Sequence, residues 1–123
     1  MSTPQELGQN GEDQAVAFLR ARGYEILARN WRCELGEADI IAAHEGELVI
    51  VEVKTRRGKH ASARALESLT PEKQAKLLAL AEAYQSSLDE AAAEFAGLRV
   101  DVVTIAVTPR GTLVEVYPNA VGW

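Results

Sequence analysis

Asp39, Glu52 and Lys54 are the residues whose types and spacing suit a reaction. They lie in residues 36–54, GEADIIAAHEGELVIVEVK, where two apolar, strand-like runs flank a short polar turn. Pairing the runs as a hairpin on Glu45 and Gly46 sets Ala43 against Leu48, Ile41 against Ile50 and Asp39 against Glu52. Opposed residues on antiparallel strands have Cβ atoms about 5 Å apart, so two carboxylates there repel unless a cation or a proton intervenes. Alternation places Leu48, Ile50, Glu52 and Lys54 on one face and Val49, Val51 and Val53 on the other. Carboxylate oxygens that can hold Mg²⁺ beside an ammonium that steadies developing charge suit hydrolysis. The plainer alternative is that Lys54 neutralises Glu52, with Glu37 opposite Lys54 as a surface salt bridge.

Other chemistries are restricted by composition. Cys33 is the one cysteine and His44 and His60 are the only histidines, which argues against a disulfide framework, a thiolate-rich zinc site or a histidine-based triad. Cys33 itself reads as a small, buried or half-buried residue. No glycine-rich phosphate loop is present, and no organic cofactor is expected. The 123 residues, 47% hydrophobic and 25% charged, are those of one domain spanning 1–123, with 118–123 as a short tail. There is no apolar run of membrane-spanning length and the start, MSTPQELGQNGED, is acidic and polar, so the expected location is the cytoplasm with no membrane partner.

A net charge of −5 argues at first against nucleic acid. The distribution argues for it: Lys54, Arg56, Arg57, Lys59 and Arg64 fall in a stretch without Asp or Glu, whereas Glu82, Asp89, Glu90 and Glu94 cluster elsewhere.

The elements that must position these groups are legible from periodicity. Residues 7–22 read as a helix, with Leu7, Ala15, Phe18 and Leu19 as its apolar stripe and Gly23 ending it. Glu12 shares a helical line with Val16 and Leu19; it is either a third acidic group beside Asp39 and Glu52 or an acid favoured by the helix N-terminus. Residues 24–31 read as a half-buried strand in which Tyr24, Ile26 and Ala28 alternate, and a turn at 33–36 follows. Arg29 and Arg32 read as solvated arginines or as positive charge near the site. Residues 56–69 form a basic loop. Thr70, Pro71 and Glu72 announce a second helix with Leu77, Leu80, Ala81 and Tyr84 on its buried side. Lys73 shares that side, either reaching the sheet edge as a second cation or carrying its stem past the apolar stripe. Ser87 caps a continuation or a short further helix. Strands at 99–107 and 112–117 form a second hairpin that sets Val107 against Thr112 and Val103 against Val116. Arg99 and Asp101 share a face as an ion pair or as groups supporting the site. The order is that of one α/β domain with a sheet covered by helices on two sides.

Several stretches carry a resemblance: Gly11-Glu12 and the helix after them, Gly23-Tyr24 through Asn30, Gly36-Glu37-Ala38-Asp39-Ile40-Ile41, Val51-Glu52-Val53-Lys54-Thr55-Arg56, Lys73, and Arg99-Val100-Asp101-Val102. In this order the chain resembles the YraN-like family of small bacterial proteins, itself similar to archaeal Holliday-junction resolvases and the restriction-endonuclease-like nuclease fold. The resemblance implies a central mixed five-stranded sheet flanked by helices. It places the metal-binding acid on Asp39, the second acid on Glu52, the lysine on Lys54 and the acid of the first helix on Glu12. Mg²⁺, with Mn²⁺ as a substitute, would be held by Asp39, Glu52 and the Val53 carbonyl, while Arg56, Arg57, Lys59 and Lys73 would hold the flanking phosphate backbone. DNA rather than RNA, branched repair or recombination intermediates, and a homodimer are also implied. Ala38 stands where the family usually has a bulkier aliphatic and Val100 where it often has an aromatic; neither change removes a chemical group. Two other readings remain at this stage: a non-catalytic nucleic-acid-binding module of the same fold, and a structural or partner-binding domain.

Overall fold

The computed structural model describes residues 4–57, 69–89 and 95–118, with side chains described from residue 11 onward. The elements are α1 (Pro4–Ala21), β1 (Glu25–Cys33), β2 (Gly36–His44), β3 (Glu47–Arg57), α2 (Pro71–Ser86), β4 (Leu98–Thr108) and β5 (Gly111–Tyr117). One five-stranded sheet runs in the order β1-β2-β3-β4-β5. All neighbours are antiparallel except β3 and β4, which are parallel. A parallel pair cannot be closed by a tight turn, and α2 lies in the crossover between them. The expected α/β class with a mixed sheet between helices is what the chain adopts.

Both central strands are buried on two faces, as their Val and Ile runs require. On one face α2 covers Ile41, Leu48, Ile50, Val100 and Val102 with Leu77, Leu80 and Ala81. On the other, α1 covers Ile40, Ala42, Val49, Val51, Val103 and Ile105 with Ala15, Val16 and Leu19. The start of α2 follows its expected chemistry: Thr70 Oγ1 accepts from the Lys73 amide at 3.2 Å and Pro71 occupies the first turn. Ser87 closes this helix and donates through its hydroxyl to the Tyr84 carbonyl at 2.6 Å. The short helix expected after it falls largely outside the described residues, as do Lys59, His60 and Arg64 of the basic loop.

The first hairpin turns on Glu45 and Gly46, both with positive φ (51° and 79°), and pairs Ala43 with Leu48 and Ile41 with Ile50 as expected. The second pairs Val107 with Thr112 and Val103 with Val116. In β1 the expected alternation fails, because the register shifts between Ile26 and Ala28. Ile26 consequently packs on the α1 side and Ala28 on the α2 side. An extra residue in one strand of a pair reverses every later side chain.

A buried polar network ties the sheet together on the α1 side. Arg99 donates Nε to Asp101 Oδ1 at 2.8 Å and Nη2 to Oδ2 at 3.0 Å, a fork that matches a carboxylate. Tyr24 donates its hydroxyl to the same Oδ2 at 2.6 Å, and Arg99 reaches His44 Nδ1 at 2.7 Å and Glu47 Oε1 at 3.2 Å. The Tyr24 and His44 rings stack with centroids 3.8 Å apart. Burial, followed by the hydrogen bond to Asp101, raises the Tyr24 phenol well above its ordinary pKa. Of the two roles open to Arg99 and Asp101, ion pairing is the one adopted.

Gly11 sets how closely α1 approaches β3. A Cβ at this position would run into the Thr55 hydroxyl and stand 3.3 Å from Ile105 Cδ1. Alanine gains about 1 kcal/mol over glycine in helix propensity, against roughly 1–3 kcal/mol for overpacking. Gly11→Ala is therefore expected to lower stability in urea melts by roughly 1 kcal/mol, and to become neutral or stabilising when Thr55→Ala removes the obstructing hydroxyl. Asp101→Ala, which leaves a buried guanidinium with Glu47 as its remaining carboxylate, is expected to cost roughly 3 kcal/mol in the same measurement.

Candidate active site

The site forms where β2 stops pairing with β3. Ladder pairs run from His44 and Glu47 to Ile40 and Val51, and Asp39 is not a ladder partner of Glu52. This corrects the direct opposition expected from a uniform hairpin. The reason is visible on β2: Ala38 packs on the α2 side with Ile41, although strict alternation from Ile41 would send it to the α1 side. Alternation thus breaks at Asp39, and its Oδ2 accepts the Val53 amide at 2.9 Å. The carboxylate bonds the backbone of β3 at the point where β2 departs from it.

Glu52 follows Leu48 and Ile50 on the α2 face and is only 6% exposed. A carboxylate buried to that degree needs cations. Lys54 Nζ lies 3.1 Å from its Oε1 and Lys73 Nζ 3.7 Å from the same atom. Of the two readings of Lys73, the second cation is the one adopted, although it meets Glu52 on the middle strand β3 and not at a sheet edge. Glu37 does not pair with Lys54; its Oε2 is 3.2 Å from Arg32 Nε.

Asp39 stands in the field of the other acids. Its pKa is raised from 3.8 to about 6, first by burial and next by the Glu52 charge; Glu12 adds to the rise, while the Val53 amide and Lys54 oppose it. Glu12 itself is raised, first by burial, with Arg29 acting against the rise and Glu37 adding to it. The first helix therefore brings Glu12 within electrostatic reach of Asp39, on a turn that Gly11 holds against Thr55. Arg29 forms a 2.7 Å ion pair with Asp13.

Asn30 has no place among the site residues expected from the sequence. It lies across from Asp39, between the pairs Arg29–Ile40 and Trp31–Ala38, with φ at 52°. With its amide oriented to satisfy both acids, its nitrogen donates to Glu12 Oε1 at 3.1 Å and Glu37 Oε1 at 3.2 Å. An asparagine within a strand-like run is the one available signal, since Asn is depleted in strands and enriched where φ is positive.

The outer cations are less tightly placed. Arg56 folds back to donate to the Thr55 carbonyl at 2.9 Å. Arg57 is exposed at the last residue of β3, and Lys59 lies outside the described residues. Among the described residues no three His, Cys, Asp or Glu side chains gather into a metal cage. What the site offers is carboxylate oxygen from two adjacent strands, a lysine beside it and a third acid nearby.

The chain is thus an α/β protein with a carboxylate and lysine site midway along β3, where β2 parts from it. It belongs to a family described as Uncharacterised protein family UPF0102, whose model matches residues 11–105. This is the YraN-like family that the motifs resemble. A UPF0102 protein of Roseiflexus castenholzii is 48% identical over 110 residues, covering 89% of this chain and 86% of that protein. One from Chloroflexus aurantiacus is 43% identical over 122 residues, covering 98% and 95%. One from Mycolicibacterium smegmatis is 46% identical over 107 residues, covering 85% and 83%. No helix among the described residues is long and apolar enough to cross a membrane.

The raised pKa of Asp39 makes stability depend on pH. The folded chain holds this proton more tightly than the unfolded one, so the contribution is fully present below pH 3.8 and is lost as pH rises through about 6. Asp39→Asn keeps an acceptor for the Val53 amide and removes the charge. It is expected to match the parent protein near pH 4 and to exceed it above pH 7, by on the order of 2 kcal/mol, in urea melts across that range.

Proposed function

We propose that the protein is a metal-dependent nuclease that hydrolyses phosphodiester bonds in DNA, with branched repair or recombination intermediates as its substrates. The observation that carries this reading is the Asp39 carboxylate, destabilised by burial and by Glu52 at a place where β2 and β3 separate. A divalent cation would relieve that repulsion, and oxygen ligands suit a hard one.

Asp39 and Glu52, with the Val53 carbonyl, are the groups that would hold Mg²⁺ or Mn²⁺; Mg²⁺ characteristically takes one or two carboxylates and fills its other positions with water and phosphate. The bound ion would supply Lewis acidity at the scissile phosphate and a more acidic water. Lys54 orients that water or steadies charge on the phosphate, and its position on Glu52 holds it at the site in the free protein. Lys73 adds a second positive charge from the α2 face. Glu12 accepts a hydrogen bond from water. Arg56, Arg57 and Lys59 hold flanking phosphates, which positions the strand without reading its sequence. A homodimer would offer two such sites to a symmetric branched substrate, in the cytoplasm.

A second reading has its own support. Glu52 already has two lysine partners, the arrangement of a nucleic-acid-binding domain whose acids are neutralised internally. Cleavage assays on duplex, flap, four-way-junction and RNA substrates in Mg²⁺ and in Mn²⁺ separate the two. A nuclease is expected to cleave DNA, with Asp39→Ala and Lys54→Ala each lowering the rate by roughly 100-fold or more while binding persists. Neutralising Arg56 and Arg57 together is expected to weaken binding and flatten its salt dependence. Absence of cleavage of every substrate in both metals, with salt-sensitive binding retained, would establish the binding domain instead.

A further inference from the structure

We propose that Asn30 is a positioning residue that holds the Glu12 carboxylate beside Asp39, ready to accept a hydrogen bond from water. This rests on the nuclease reading of the site and concerns a residue whose side chain lies outside the acid and lysine set.

The backbone is the first observation. Asn30 adopts φ of 52° inside β1, a left-handed conformation that costs most residues roughly 1–2 kcal/mol and that asparagine tolerates. It does so directly across from Asp39, since Arg29 pairs with Ile40 and Trp31 with Ala38 on either side. The conformation is therefore placed where β2 also loses its alternation.

The side chain is the second. With its amide turned so that the nitrogen faces the two acids, the orientation in which its hydrogen bonds are satisfied, Asn30 donates to Glu12 on α1 and to Glu37 on β2, at 3.1 and 3.2 Å. Two carboxylates drawn to one point repel, and a neutral donor between them links α1 to β2. The nearby cations make their close ion pairs with other acids, Arg29 with Asp13 and Arg32 with the other oxygen of Glu37, and Arg29 acts on Glu12 only through its field. An arginine or lysine at position 30 would neutralise Glu12. An amide orients it and leaves it an anion, with Oε2 remaining as the acceptor for water.

A purely structural role for the same bonds would lower stability without acting through Glu12, and a double-mutant cycle distinguishes the two. Asn30→Gly retains the left-handed backbone and deletes the amide, so it folds; Asn30→Asp retains similar backbone tolerance and replaces the donor with a third carboxylate. Full-length protein carrying Asn30→Gly, Glu12→Gln or both is compared with the parent for DNA cleavage and, by calorimetry, for Mn²⁺ affinity. Each single change is expected to lower kcat by about 10–100-fold with KM for DNA unchanged. The double variant is expected to be no slower than Glu12→Gln alone. Asn30→Asp is expected to be at least as impaired as Asn30→Gly. Equal losses from Asn30→Gly in the parent and in the Glu12→Gln background would overturn the proposal, as would an unchanged rate with a lowered Tm. If the parent binds Mn²⁺ and cleaves nothing, the nuclease reading fails by itself. The same cycle is then read on Mn²⁺ affinity, where non-additive losses uphold the role of Asn30 and additive losses or none refute it. A parent protein that binds no Mn²⁺ leaves Asn30 no site to serve and refutes it as well.

Discussion

Parallel strands cannot be joined by a tight turn, and the pairing of β3 with β4 makes the chain leave the sheet at Arg57 and return at Leu98. The consequences reach every other part of the molecule. Both strands lie in the middle of the sheet and are covered on two faces, which is why they carry long Val and Ile runs. The crossover places α2 over Ile50 and Val102 and brings Lys73 to Glu52. The opposite face is left for α1, whose close approach at Gly11 carries Glu12 toward the same end of the sheet. A site fed by two helices and two strands follows from one choice of strand direction.

Two polar centres within this sheet solve the burial of charge in opposite ways. Asp101, fully buried, receives a forked guanidinium and a phenol, and its charge is matched where it stands. Asp39 receives one backbone amide and faces other carboxylates, so that its proton is held more tightly than usual. The first arrangement is closed and contributes cohesion between β2, β3, β4 and the residue that leads into β1. The second stores repulsion that a cation can relieve. That contrast separates a structural ion pair from a candidate reactive site more sharply than the presence of acids does.

Much of the fold was legible because it rests on local rules. Glu45-Gly46 specifies a turn with two positive φ values, and the register of the hairpin follows from it down to Ile40. Thr70-Pro71-Glu72 marks a helix start through groups a few residues apart. The second hairpin follows in the same way from Thr108 to Gly111. Extrapolating those rules failed at three places. The register shift at Leu27 reverses the faces of β1, β2 departs from β3 at Asp39, and Glu37 takes Arg32 in place of Lys54. In each case a neighbouring strand or a longer-range charge outweighs the two-residue alternation on which the expectation was based.

The sequence by itself determined the elements, their order and the hairpin partners as far as Ile40, and it singled out Asp39, Glu52 and Lys54 as candidates for chemistry. Turn geometry, helix capping and apolar periodicity act over a few residues and can be read along the chain. Only the tertiary structure decided that Lys73 belongs with Glu52 and that Arg99 closes around Asp101. It also decided that Asp39 bonds the Val53 amide and that Asn30 bridges Glu12 and Glu37. Those outcomes depend on which side chains are carried to the same point by elements distant in sequence, and on the burial that makes each charge select its partner.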